Sequence, residues 1–146
     1  MTEEAKQAAN FVKYKIRRLV ENENESAVKA TLSKLRRGVG KRPGSMPELW
    51  DATLKDLPET LTTDKGEEAT PGEWAVHTAL TLYALHQQGK DLKKQCMNRE
   101  GEHFGVVVAR LVKTEEDEKR IKRRFDAAAM SDSLQEFSHH LRGLVQ

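Results

Sequence analysis

The stretch TPGEWAVHTALTLYALHQQG, residues 70–89, decides how the chain folds. Thr70 followed three residues later by Glu73 is a capping box, the reciprocal pairing that starts a helix. Beyond it Trp74, Leu80, Leu82, Tyr83 and Leu85 leave few polar positions, and Gly89 closes the segment. A helix with so little polar surface has to be surrounded by other elements. It is therefore expected to be the most buried helix of the molecule, with Trp74 and Leu80 in the core. His77 and His86 lie on this helix, where a hydrogen-bonded structural histidine is the expected outcome.

Working outward, FVKYKIRRLV (residues 11–20) carries Val12, Ile16, Leu19 and Val20 at helical spacing, with Lys6, Lys13 and Arg17 on the neighbouring side. ESAVKATLSKLRRG (25–38) repeats the pattern with Val28, Leu32 and Leu35. Gly38 after Arg36 and Arg37 is a helix stop with cations in the last turn, where the dipole favours them. A loop then runs from Gly38 to Gly44, and Ser45 with Glu48 predicts a second capping box around Pro47. LPETLTTDKGEEATPG (57–72) reads as an exposed acidic connector. HFGVVVARLVKT (103–114) has three valines in a row, but no second segment of strand character, so it is read as a helix. Thr114 with Asp117 caps the next helix, on which Ile121 and Phe125 face the core. The last helix spaces Leu134, Phe137, Leu141 and Leu144 along one stripe. The expected fold is all-α: a small bundle of about seven helices without a fixed-period repeat. It divides into a basic N-terminal helical part (1–57), the acidic connector (58–72) and a C-terminal helical part (73–146), packed as one compact unit.

The composition, 37% hydrophobic and 33% charged in 146 residues, suits a small core under a charged skin. One cysteine, Cys96, rules out an internal disulfide framework and agrees with a reducing cytoplasm. No apolar run approaches the ~20 residues that span a bilayer, and the start has no secretory-signal order. GVGKRPG (38–44) is not a Walker A loop: Arg42 takes the hydroxyl position after Lys41, and Pro43 removes an amide donor. A dinucleotide fingerprint lacks its preceding strand. His139 and His140 are consecutive and diverge by about 100° on a helix, so they form no chelating pair. Glu115, Glu116, Asp117 and Glu118 fill a first helical turn, where the dipole accounts for them. No nucleophile elbow is present, and Trp50 and Trp74 read as core residues rather than a base-stacking platform. No catalytic residue, metal or cofactor is expected.

The basic set remains. From Lys13 to Arg42 ten Lys or Arg face three Glu, a local +7, while residues 51–73 carry a local −5. Lys13, Arg17, Arg18, Lys41 and Arg42 belong to the first cluster. On the helix after Thr114, Arg120 and Arg124 are one turn apart with Arg123 between them. Arginine suits phosphate because its planar fork donates two parallel hydrogen bonds. The pattern points to a polyanion, with solvation of helix surfaces as the plainer alternative.

Three pieces, KLRRGVGKRPG, GEWAVHTALTLYALHQQG and RRFDAAAMSDSLQEFSHHLRGLV, resemble in order and separation the CasB family, the small subunit of type I-E CRISPR Cascade complexes. The likeness covers most of residues 11–146. It implies an all-helical, non-enzymatic, cytoplasmic protein present as two copies beside other Cascade subunits. Its basic surface would support the crRNA–DNA target duplex and the displaced single strand of an R-loop. Carried across by position, the family's basic elements fall on Arg36, Arg37, Arg110, Arg123, Arg124 and Arg142. HFG at 103–105 departs from the family's small-Leu-Gly element at the helix start. The family's further helical segment with Trp and Arg does not follow Gln146, so the final helix is expected to expose apolar surface. Five phosphate contacts to a single strand would give a salt slope of about −3.5, from about −0.7 per contact. The competing expectation is a scaffold whose arginines meet acidic patches of neighbouring subunits.

Overall fold

A computed structural model describes residues 1–62 and 68–146. Among the described residues there are seven α-helices and no strand: α1 Glu3–Glu21, α2 Glu25–Arg37, α3 Trp50–Thr53, α4 Pro71–His86, α5 Phe104–Ala109, α6 Glu115–Ala129 and α7 Leu134–Val145. Short 3-10 turns occur at Pro47–Leu49 and Glu59–Leu61. Contacts group the chain into two compact units, Met1–Asn98 and Arg99–Gln146.

The first unit is built on α4, against which both α1 and α2 pack. The capping box forms as the sequence predicts: the Glu73 amide donates to Thr70 Oγ1 at 3.1 Å, and the Thr70 amide to Glu73 Oε2 at 2.8 Å. Val76, Leu80 and Ala84 are fully buried and meet Phe11 and Ile16 of α1 and Val28, Leu32 and Leu35 of α2 in one cluster. Leu49, Leu54, Leu57 and Leu61 extend it along the segment that returns to α4. Where the sequence pattern separates a part ending at 57 from one starting at 73, the contacts group α4 with α1 and α2. The acidic connector lies in part, at residues 63–67, outside the described residues. Gln87 ties down the chain after α4, its side chain accepting from the Met97 amide at 2.9 Å and donating to the carbonyls of Lys90 and Gln95.

Three local expectations for this unit are corrected. Ser45 and Glu48 form no capping box. Met46 is the residue before the 3-10 turn and makes no side-chain cap, while Ser45 Oγ donates to the Arg42 carbonyl at 2.6 Å. Ser45 sits one residue too early to cap. Trp50 is 52% exposed, because Leu49, Thr53 and Leu54 occupy the inward positions of that short turn. Trp74 is half-buried, whereas Leu80 is fully buried.

The second unit pairs α6 with α7, which pack closely on each other. Thr114 Oγ1 accepts from the Asp117 amide and Ser133 Oγ from the Glu136 amide, both at 3.1 Å, so each helix starts with a side-chain cap. The core is narrow: Val108, Ile121 and Leu144, with Val112 beside them. It is too narrow to take the whole stripe of either helix. Phe125, placed on the core side by its spacing, is 37% exposed and stacks on Phe104 with ring centroids 6.2 Å apart. Leu134 and Phe137 are 40% and 39% exposed, and only Leu144 of the α7 stripe is buried. The valine-rich segment is helical, but only over the six residues of α5.

Candidate nucleic-acid interface

In the first unit the basic residues divide by position on the helices. Lys13 and Arg17 are one turn apart on the exposed side of α1, opposite Ala8, Phe11 and Ile16. Neither makes a side-chain hydrogen bond or ion pair among the described residues. Arg18 lies elsewhere on α1 and is engaged: it donates to Tyr14 Oη at 3.0 Å and sits over that ring. The hydrogen bond to Tyr14, with that group's charge, holds Arg18 above its ordinary value. Arg36, half-buried, and Arg37, exposed, end α2, and Lys41 and Arg42 follow in the loop, both exposed. All four lack an intrachain side-chain partner among the described residues. Gly40 and Gly44 adopt φ of +75°, a conformation glycine reaches without strain, and so let the chain make two successive turns, Gly38–Lys41 and Arg42–Ser45. The result is four cations on a helix end and the tight turn that follows it.

In the second unit three of the six arginines are occupied. Arg110 pairs with Glu102 at 3.0 Å and Arg120 with Asp117 at 2.8 Å. The Thr114 hydrogen bond, followed by the Arg120 charge, holds the Asp117 carboxyl below its ordinary value. Arg124 Nη1 donates to the Gly143 carbonyl at 2.6 Å, so this side chain ties α6 to the last turn of α7. Arg123 and Arg142 are exposed and make no such contact among the described residues. Exposed ion pairs contribute little to stability, about 0–1 kcal/mol, so Arg110 and Arg120 are available to a stronger acceptor. Arg124 has a structural role that its spacing does not reveal.

One basic feature escapes the sequence pattern. Lys29, Lys90 and Lys93, with Glu25 and Asp91 beside them, border a groove of about 200 Å³ whose apolar floor includes Leu19, Val28 and Leu32. Lys90 Nζ donates to the His86 carbonyl at 2.8 Å, a C-terminal cap on α4. The run KDLKK after Gly89 is the signal that marks it. Among the described residues no group of three or more His, Cys, Asp or Glu gathers for a metal ion, and no helix is long and apolar enough to cross a membrane.

The profile of the CRISPR-associated protein Cse2 family matches residues 31–146. The chain belongs to the CRISPR-associated protein Cse2 family. Among solved structures, CasB from Thermobifida fusca is similar, with a TM-score of 0.72 and 27% sequence identity over 95% of this chain and 75% of that one. No curated protein matches. Membership agrees with the CasB resemblance carried by the three sequence pieces, and it places the chain among the subunits of CRISPR Cascade complexes. The all-helical architecture matches the CasB fold.

Proposed function

We propose that this Cse2-family chain is a non-catalytic Cascade subunit that binds nucleic acid through sequence-independent electrostatics and stabilises the R-loop. The observation that carries the reading is the set Arg36, Arg37, Lys41 and Arg42, four cations without intrachain side-chain partners among the described residues, on one helix end and its following turn. Carboxylates elsewhere in the chain take up Arg110 and Arg120, but no described carboxylate takes up these four. In an RNA-guided complex base pairing carries sequence recognition, so a protein subunit needs only to hold backbone. Exchange of one duplex for another is near balance, and a few phosphate contacts suffice to trap the open state. The acceptor is the target duplex or the displaced single strand, with a second copy of the chain and the other subunits extending the surface.

The test is reconstitution of the complex with and without this subunit, reading R-loop lifetime by footprinting. The reading expects a shorter lifetime without the subunit and with Lys41→Ala/Arg42→Ala, at unchanged assembly. Equal lifetimes would overturn it. A scaffold role is favoured by one observation only: Phe104, Phe125, Phe137 and Met130 of the second unit are exposed, as protein-contacting side chains are before assembly. Loss of assembly after substituting these residues, at full single-strand binding, would assign protein contact to that unit.

A further inference from the structure

His77 is a buried polar group that the basic surface does not itself account for; it is 2% exposed on α4. Its Nε2 lies 3.0 Å from the carbonyl oxygen of Gly38. A carbonyl only accepts, so Nε2 carries the proton. Nδ1 has no hydrogen-bond partner among the described residues. A second proton there would meet no acceptor within hydrogen-bond distance, and burial holds the ring below its ordinary value. The ring is a neutral donor aimed at the Gly38 carbonyl oxygen, with the Lys41 backbone beside it.

That oxygen is the base of the basic loop. It also accepts the Lys41 amide at 3.0 Å, so a single atom both closes the turn that ends at Lys41, immediately before Arg42, and ties it to α4. One helical turn further along α4, Thr81 supports the same point. A Cβ at Gly38 would stand 3.1 Å from Thr81 Cγ2 and 2.5 Å from Leu49 Cδ1, so the Gly38 backbone is seated directly on the core. Thr81 Oγ1 in turn donates to the His77 carbonyl at 2.8 Å.

We propose that His77 is a positioning residue for nucleic-acid binding: through the Gly38 carbonyl it fixes the turn that presents Lys41 and Arg42 to phosphate. This rests on the polyanion reading above. The loop contains two glycines at positive φ, and cations on an untethered turn must be ordered at the moment of binding, which lowers affinity. Fixing the turn beforehand removes that cost.

The test uses the full chain and a labelled oligothymidylate. His77→Leu removes the donor, while His77→Gln keeps an amide nitrogen within similar reach of Gly38. His77→Leu is expected to weaken binding about tenfold, the size of effect expected when two phosphate contacts are lost, and to speed hydrogen exchange of the Lys41 amide. Combined with Lys41→Ala/Arg42→Ala it should add nothing further, and His77→Gln should restore both affinity and protection. Wild-type affinity and exchange in His77→Leu would overturn the proposal. If Lys41→Ala/Arg42→Ala alone leaves binding unchanged, the polyanion reading of this loop fails, and Lys41 exchange still decides whether His77 positions the turn. Should His77→Leu not fold, the ring-nitrogen spectrum of the unaltered protein decides. A neutral ring protonated on Nε2 is expected, and a proton on Nδ1 would overturn the proposal.

Discussion

Replacing Gly38 by Ala introduces a methyl group where the core leaves no room for one. The new Cβ would lie 2.5 Å from Leu49 Cδ1, 3.1 Å from Thr81 Cγ2 and 3.2 Å from the Leu35 carbonyl oxygen. Leu49 and Thr81 are 2% and 1% exposed, so neither has an open side to retreat into. The backbone at Gly38 has φ −77°, ordinary for any L-residue, so the cost is steric: about 1–3 kcal/mol, as for overpacked cores. Gly40, two residues on, is the control. It has φ +75° and nothing within 4 Å of where a methyl would stand, so Gly40→Ala costs about 1 kcal/mol through backbone conformation alone. Asparagine separates the two causes, because it tolerates the left-handed region but is bulkier than alanine. Urea unfolding followed by helical circular dichroism should rank Gly38→Asn below Gly38→Ala, and Gly40→Asn above Gly40→Ala. A Gly38→Ala protein within about 0.5 kcal/mol of wild type would refute the seating of this turn on α4.

Four further outcomes are expected. Leu80→Ala, at a fully buried position on α4, should cost about 2–5 kcal/mol, checked by the same unfolding assay. Arg123→Ala should leave stability within about 0.5 kcal/mol while flattening the single-strand salt slope by about 0.7. Arg124→Ala should lose about 0.5–1.5 kcal/mol with its bond to the Gly143 carbonyl, so unfolding midpoints distinguish the two neighbours. The native state binds a proton at His77 less readily than the unfolded chain, whose value is the ordinary 6.5. Stability therefore falls as pH drops through that value. His77→Gln should lose less stability than wild type between about pH 7 and about pH 5, read as the difference between their unfolding free energies.

The helices are legible in the sequence because their signals are local. Thr70 with Glu73 and Thr114 with Asp117 write helix starts into four residues, and the absence of a polar side on 74–85 requires a central element. Spacing misplaces Phe125 and Phe137 because periodicity gives the side of a helix a residue occupies, not whether a neighbour covers that side. Trp50 is misplaced because size and apolarity do not fix which positions of a short turn point inward. The basic residues are legible as a class, yet their availability is not. Arg124 reaches a carbonyl nineteen residues away and Arg110 a glutamate eight residues away, and such pairings exist only once the chain is folded. The helix that carries His77 marks it as a hydrogen-bonded histidine, but its partner lies thirty-nine residues away on the basic loop, beyond any local pattern.

The most direct measurement is the affinity of the full chain for single-stranded oligonucleotides of several base sequences across a salt series. Phosphate contacts by Arg36, Arg37, Lys41 and Arg42, with a fifth by Arg123, give a slope of log affinity against log salt of about −3.5, from about −0.7 per contact, the same for every sequence. A slope near zero, or one that changes with base sequence, would contradict electrostatic backbone binding by this chain.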